Sequence, residues 1–431
     1  RVSWGERRGA WGRRGRPTWR WLRVWPQPVP PSLRENRFGS RGIELRNDSN
    51  PVHIVFAIAG ILSILGILLD AFETVVLPRR VQRSFRLTSW FYRRTWIPYR
   101  RLARRIPARS RRENFLGYFG PLSLIFLLIL WAAGLIFGFA LLQYGAGEHF
   151  RSGGEPLTFG LLVYHSGETF FTLGYGDIIP SSGVARALAV IESGLGFAFL
   201  GVVIGYLPTI YSSFSRREIE ISLLDARAGS PPSAAELLSR FGNCPQQAVL
   251  DQIFKDWERW AAEVLESHLS YPVLSFFRSQ HNNQSWLGAL ITILDATALV
   301  IAGVDGLRFE QSKITFAMAR HAVVDLAQVV NARYAPTTDD RLPAPELARL
   351  RENLAGRGVK LGNGEAFEEK LTHLRSLYEP YAVAIAANLS ITLPPWIQPE
   401  KQKDNWQAGP WDRAIQARSL AGRLQSMDDH F

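Results

Sequence analysis

A six-residue stretch in the first half of the chain has the residue types needed to coordinate a cation through its main chain. It reads Thr172-Leu173-Gly174-Tyr175-Gly176-Asp177. Glycine adopts positive φ angles that other residues avoid, so a Gly-x-Gly pair lets the backbone alternate and turns successive carbonyl oxygens toward one side. Several such strips around one axis can replace the hydration shell of a dehydrated cation. The Thr172 hydroxyl would extend the row of oxygens, Tyr175 would brace the strip from behind, and the Asp177 carboxylate would concentrate cations at the outer end.

The segments around this hexapeptide have the lengths that a membrane pore requires. Residues 159–171 form an apolar run too short to cross a bilayer. An apolar run long enough to cross lies on either side, at about residues 119–144 and 184–207. The order is therefore outer spanning helix, re-entrant half-length helix, glycine-rich strip and inner spanning helix.

This order and the hexapeptide together resemble the pore of bacterial potassium channels of the two-transmembrane ion channel family, over roughly residues 121–215. The resemblance implies that the backbone carbonyls of Thr172, Leu173, Gly174 and Tyr175 coordinate the permeant K⁺, with no other cofactor. Leu173 departs from the valine that is commonest in the family, but its side chain is expected to point away from the axis. The sequence contains one such strip, and four are needed around the axis, so we expect a homotetramer.

Two residues of the re-entrant helix match positions that support the filter in the resembling channels. Glu168 stands four residues before Thr172, which implies a carboxyl group behind the filter near Asp177. Two carboxyl groups at close range cannot both ionise cheaply, so we expect them to share a proton. Tyr164 occupies the position of an aromatic residue that hydrogen-bonds the same aspartate. A solvated position for Glu168 on the helix surface is the alternative.

Gly196 matches the gating hinge of the family's inner helix. Glycine weakens a helix by about 1 kcal/mol relative to alanine, which makes its turn easy to bend. Glu192 lies one turn earlier, and it either lines the pore cavity or pairs with a neighbouring helix. Other residues in this span that could bend the helix instead are Gly194, Gly201, Gly205 and Pro208.

One further spanning helix is expected before the pore, at residues 51–78. Asp70 and Glu73 lie near its end, where we expect them to pair with the arginines that follow. Residues 79–117 form an arginine-rich linker interleaved with aromatic residues, which is typical of a cytoplasmic, interfacial segment that binds anionic lipids. Residues 1–50 are basic and aperiodic; we expect a disordered extension, with a lipid-binding arm as the alternative. Their arginines would lie outside the cell and oppose the inferred orientation.

The composition argues against several other classes of protein. The formal charge is +12, but the arginines concentrate beside apolar spans, which fits phospholipid head groups better than nucleic acid. One cysteine, Cys244, rules out an intrachain disulfide. We find no nucleophile-base arrangement, zinc motif or Gly-x-Gly-x-x-Gly nucleotide loop, so an enzyme is not expected.

Residues 216–431 predict a helical cytoplasmic domain whose ligand the sequence does not identify. Within it, residues 286–304 are apolar and nearly of membrane length, interrupted by Asp295. A buried helix of a soluble domain fits this run better than a fourth span, because no charge cluster orients it. The preceding residues, His281-Asn282-Asn283-Gln284-Ser285, would cap that helix or bind a polar ligand.

We therefore expect an all-α, multi-pass plasma-membrane protein: a tetrameric potassium-selective channel that conducts passively. One alternative is a membrane-anchored sensor or scaffold with a non-conducting pore. The other is a weakly selective cation channel.

Overall fold

The computed structural model describes residues 51–77, 86–147, 150–152, 156–242, 246–281, 283–334 and 340–398. The predicted extension 1–50 and the first part of the arginine-rich linker, 78–85, lie outside these ranges. The described residues form an all-α protein whose β-structure is one pair of two-residue strands and an isolated bridge between Val304 and Leu361. The α-helices are α1 Pro51–Ala71, α2 Leu87–Ala103, α3 Arg109–Gly117, α4 Phe119–Gly145, α5 Phe159–Phe170, α6 Gly183–Ala228, α7 Ala234–Phe241, α8 Gln247–Ser270, α9 Trp286–Gly303, α10 Glu310–Val329, α11 Ala344–Ala355, α12 Glu365–Ser376 and α13 Glu379–Leu389. The strands are β1 Phe150–Arg151 and β2 Ile179–Pro180; a π-helical turn, Phe72–Val76, extends α1, and a 3-10 turn, Pro272–Phe276, follows α8.

Four helical segments in the described part of the chain are long and apolar enough to cross a membrane. They are Pro51–Val76, Arg109–Gly145, Gly183–Ala228 and Trp286–Gly303. The most apolar window of the first is 17% buried and that of the last is 89% buried. The apolar surface of the first helix is therefore available to lipid, whereas that of α9 is covered by other helices of the protein.

Helices α1 and α4 approach each other closely along a face of small residues. A Cβ added to Gly60 would lie 2.6 Å from the Gly138 carbonyl oxygen and from the Leu142 amide nitrogen. The Ser63 hydroxyl donates to the Gly134 carbonyl across the same contact, at 3.3 Å. In a membrane, where apolar surface alone does not drive association, such close backbone packing holds helices together.

The carboxyl group of Asp70 is buried between α1, α2 and α4. It accepts hydrogen bonds from the Thr88 amide (3.1 Å), the Thr88 hydroxyl (2.6 Å) and the Trp131 indole nitrogen (3.0 Å). The expected pairing with arginine is wrong for Asp70, because the first turn of α2 and an indole supply its donors. It holds for Glu73, which lies 3.6 Å from the Arg86 guanidinium.

The linker helix α2 packs partly on protein. Trp96 is buried, and its indole nitrogen donates to the Asn388 carbonyl oxygen at the end of α13, at 2.9 Å. Helix α2 also continues through Pro98 without a break. Its outward face keeps the pattern expected of a lipid-facing helix, with exposed Trp90 and Arg93.

Helix α6 extends well beyond the expected inner helix. It runs 46 residues without interruption through Pro208, so the expected boundary between pore and C-terminal domain at residue 215 falls inside a helix. At 1.5 Å per residue it is about 69 Å long, roughly twice the hydrocarbon thickness of a bilayer.

Helix α9 forms the centre of the C-terminal unit. Every residue from 286 to 301 is buried, enclosed by α7, α8, α10, α12 and α13. Its one carboxylate, Asp295, makes two hydrogen bonds with the Arg341 guanidinium, at 2.8 and 3.2 Å, and accepts another from the Tyr378 hydroxyl. These contacts match the prediction of a buried helix in a globular helical domain.

Candidate functional site

The backbone of the hexapeptide alternates in the way that its glycines predict. Positive φ angles occur at every second residue: 55° at Thr172, 65° at Gly174 and 77° at Gly176. This alternation orients consecutive peptide groups in the same direction, as a row of carbonyl oxygens along one side requires. Thr172 is the exception in residue type, because a residue with a Cβ adopts this conformation at a cost.

Helix α5 positions the inner end of this strip. The Thr158 hydroxyl caps the helix by accepting from the Leu161 amide at 3.3 Å. At the other end, the Leu173 amide donates to the Glu168 carbonyl oxygen at 2.9 Å, and the Thr172 amide donates to the Thr169 carbonyl at 3.1 Å. The carboxyl-terminal end of α5 therefore leads directly into the strip.

The outer end of the strip is held by the short antiparallel pair of strands. Phe150 pairs with Pro180, and Arg151 pairs with Ile179. Arg186, in the first turn of α6, donates to the Pro180 carbonyl oxygen at 3.2 Å. The strand pair joins the connection after α4 to the chain that leaves the strip, a feature that the sequence reasoning did not anticipate.

The hexapeptide is exposed in the single chain. Tyr175 is 71% exposed and Leu173 is 54% exposed. Cβ atoms added at Gly174 or Gly176 would meet no described atom within 4 Å. These glycines are therefore required by backbone conformation and not by packing within the chain.

Glu168 lies behind the strip in a buried position, 5% exposed. Its Oε1 accepts a hydrogen bond from the Gly176 amide at 3.2 Å, and its Oε2 has no partner among the described residues. The solvated alternative does not fit this burial. The carboxyl group ties α5 to the second glycine of the filter motif.

Asp177 lies at the far end of the strip, as the sequence indicates. Its Oδ1 accepts from the Ile178 amide at 3.1 Å, and the Tyr164 hydroxyl lies close to its carboxylate. The structure thus brings Tyr164 and Asp177 together. Whether Glu168 and Asp177 share a proton stays a prediction.

Gly196 packs against the end of α5. A Cβ at this position would collide with the Phe170 carbonyl oxygen, whereas Cβ atoms at Gly194, Gly201 and Gly205 would meet nothing within 4 Å. Close backbone approach thus separates Gly196 from the other glycines of α6. Its role as a hinge stays a prediction, and α6 is unbroken at this point.

A second buried carboxyl group, Glu192, joins three helices around the strip. It accepts from the Ser166 hydroxyl of α5 and from the Gln143 amide of α4, the latter at 3.2 Å. The sequence left two roles open for Glu192, lining the pore cavity or pairing with a neighbouring helix. The structure shows the second, because both partners of Glu192 lie on other helices. Sequence reasoning missed Ser166 and Gln143; the signal available was a polar residue able to pair with Glu192 in each of the two neighbouring, mostly apolar segments.

The chain was compared with protein families, curated proteins and solved structures. Residues 124–212 match the family model described as "Ion channel". An uncharacterized membrane protein of Bacillus subtilis (strain 168), YdjJ, is 21% identical over 237 residues, which is 54% of this chain and 68% of that relative. No solved structure was found to match the chain. The chain is therefore an all-α membrane protein whose residues 124–212 form a domain of the ion channel family.

Proposed function

We propose that this chain is one subunit of a homotetrameric, potassium-selective channel that conducts K⁺ passively. The observation that carries the proposal is the alternation of positive φ at Thr172, Gly174 and Gly176, directly after a half-length helix. Four copies would line one axis with the carbonyl oxygens of residues 172–175 and so replace the water around K⁺. The open side of the strip supports such an assembly, because within the single chain the glycines meet no described atom.

The four re-entrant helices would add to this stabilisation. Each α5 would aim its carboxyl-terminal end, which carries roughly half a negative charge, toward the centre of the assembly. A cation held there gains favourable electrostatic energy without a charged side chain on the axis. Conduction by such a pore needs no catalytic group, so we infer a transport protein and not an enzyme.

The proposed topology places the protein in the plasma membrane with its C-terminal unit in the cytoplasm. Exposed arginines of α2 and of the turn that follows it support this orientation, because positive charges favour the cytoplasmic side. They also support anionic lipids as partners of the linker. The members of this exposed set are Arg93, Arg94, Arg101, Arg104 and Arg105.

Potassium flux into vesicles that contain the purified protein tests the proposal. Gly176→Ala should abolish flux, because alanine is strained at a φ of 77°. Gly183→Ala is the matched control: its Cβ also meets open space, but its φ is not positive. We expect the control to conduct as the wild type does and the wild-type flux to be blocked by barium.

The same assay separates the alternatives. A wild-type protein that passes no K⁺ would be a membrane-anchored sensor or scaffold. Equal Na⁺ and K⁺ fluxes would make it a weakly selective cation channel. Cross-linking in the bilayer that yields monomers would contradict the tetramer.

A further inference from the structure

A cavity of about 470 Å³ lies between the end of the linker and the C-terminal unit. Helix α3 and Tyr118, which directly precedes α4, line one side; the chain that precedes α9 lines a second, and residues 391–395 line a third. This volume falls within the range of small-molecule pockets. The cavity is separate from the filter and shares no residue with it.

Gln284 is a buried amide on the wall of this cavity. It is 7% exposed, and its Nε2 has no hydrogen-bond acceptor in the described part of the chain. A buried N–H donor left unpaired destabilises the fold, so such donors normally have partners. An acceptor supplied by a ligand in the cavity would remove this cost.

The amino-terminal end of α9 points its positive dipole end at the same space. Ser285 caps the helix by accepting from the Gly288 amide at 2.9 Å, and both residues line the cavity. The first amides of an α-helix have no partner within the helix and favour an anion. The buried Gln284 donor therefore stands next to a second anion-attracting group.

The charged side chains around the cavity leave a positive balance. The carboxylate of Glu113 lies 3.6 Å from the Arg278 guanidinium, which offsets its charge. Arg278 also donates to the carbonyl oxygens of Leu389 and Ser390, so it is fixed in place. Arg109 lines the cavity, is exposed and makes no ion pair with any residue that the structure describes.

We propose that this cavity binds a phosphate ester, with its phosphate between Arg109, Gln284 and the first turn of α9. The uncharged part of the ligand would contact the opposite wall, which is formed by prolines and aliphatic side chains. These are Pro231, Pro232, Ile391, Leu393, Pro394 and Pro395. The same phosphate ester group is found in soluble metabolites and in phospholipid head groups. Tyr118, at the start of α4, brings the cavity to the end of a membrane helix, where a head group also has access.

The first arm of the test measures a soluble ester. Full-length protein in phosphatidylcholine nanodiscs is titrated with glycerol 1-phosphate by isothermal titration calorimetry. We expect saturable binding that weakens at least tenfold in Arg109→Gln and in Gln284→Leu. Arg111→Gln is the matched control, because Arg111 is exposed on the same helix but does not line the cavity. Its affinity should stay within twofold of the wild type.

The second arm measures a lipid. Native mass spectrometry counts the phosphatidylglycerol retained by each protein after release from nanodiscs that contain this lipid. Retention by the wild type and by Arg111→Gln, with loss in the other two variants, identifies the lipid as the source. Calorimetric binding without retained lipid identifies the soluble ester.

Absence of both signals would overturn the proposal, as would an equal loss in Arg111→Gln. Arg109 is exposed, so its variant tests the site even if Gln284→Leu does not fold. Neither arm measures ion flux, so a failure here is distinct from a failure of the proposed conduction.

Discussion

At the scale of single residues, Glu168 ties α5 to the proposed filter. Its carboxylate is buried, and the hydrogen bond to the Gly176 amide fixes a peptide group whose orientation decides whether the row of carbonyls is complete. The sequence predicted the location of this carboxyl group by resemblance. The sequence could not predict that the Glu168 carboxylate accepts a hydrogen bond from the Gly176 amide, because that contact depends on how closely residues 172–177 approach α5.

We predict that Glu168→Ala changes the rate at which potassium current decays after activation, by several-fold. The substitution frees the Gly176 amide, so the filter can rearrange more easily. Current recorded from protein in planar bilayers measures the decay. Glu369→Ala, which removes an exposed carboxyl group on α12, serves as the control, and an unchanged decay in Glu168→Ala would remove Glu168 from filter control.

A second residue-scale prediction concerns Gly196. Gly196→Ala should reduce the free energy of unfolding by about 1–3 kcal/mol, because its Cβ would overlap the Phe170 carbonyl oxygen at the end of α5. Gly201→Ala adds the same atom in open space and should be neutral or stabilising by up to about 1 kcal/mol. Thermal unfolding of the purified proteins measures both. Equal melting temperatures for the two variants would contradict the packing role.

At the scale of elements, Arg217 joins α6 to the C-terminal unit. The guanidinium is buried and donates to the Leu274 and Phe277 carbonyl oxygens at 3.0 and 2.9 Å. It also lies 3.2 Å from the His268 Nε2 atom. Phe277 in turn rests on Gly120 of α4, where a Cβ would come within 2.7 Å of the ring. The turn after α8 thus packs between α4 and α6.

His268 makes this junction sensitive to acid. Burial, with Arg217 beside it, lowers the pKa of His268 to about 3. An unfolded histidine has a pKa of about 6.5, so below that pH the unfolded state binds the extra proton and the folded state does not. Stability therefore falls as the pH drops from 6.5 toward 3, and above 6.5 the residue has no such effect.

We predict that lowering the pH from 7 to 5 costs the wild type about 2 kcal/mol of stability through His268 alone. His268→Gln keeps an amide that can accept from Arg217, and its stability should depend less steeply on pH. Thermal unfolding at both pH values measures the difference. An exposed histidine, His321, provides the control in His321→Gln, which should keep the wild-type pH dependence. Parallel curves for wild type and His268→Gln would disprove the linkage.

How far the sequence predicts these elements depends on how local their causes are. The spanning helices follow from the apolar runs, and the half-length α5 follows from its flanking polar residues. The strand pair β1–β2, the continuation of α6 beyond residue 207 and the packing of residues 272–277 between α4 and α6 depend on contacts between distant segments. The residue types within one short stretch of sequence do not show which distant segments it contacts. For the same reason, the sequence predicted arginine as the partner of Asp70, whereas Thr88 and Trp131 bind it.

At the scale of the whole molecule, the assignment of α9 decides the topology. A fourth span would carry everything after residue 303 to the other side of the membrane. The buried Asp295–Arg341 pair argues against it, since each ion satisfies the other inside a protein shell. The sequence indicated this outcome from the absence of orienting charges, and the burial of α9 supports it.

We therefore predict that residues before and after α9 lie on the same side of the membrane. Lys255 and Lys313 are exposed on α8 and α10, which flank α9 in the sequence. Lys255→Cys and Lys313→Cys, each made in a Cys244→Ser background, should react alike with an impermeant maleimide: both in inside-out vesicles and neither in intact cells. Opposite labelling of the two positions would show that α9 spans the bilayer.

The uninterrupted α6 has a mechanical consequence. Its first turn borders the outer mouth of the filter, and its last turns are embedded in the C-terminal unit through Arg217. No loop interrupts the helix between these ends, so a tilt of the C-terminal unit would also move the opposite end of α6. Arg186 and Arg217 are 31 residues apart on this one helix, or about 47 Å, so we expect a tilt of the C-terminal unit to displace the chain that leaves the proposed filter.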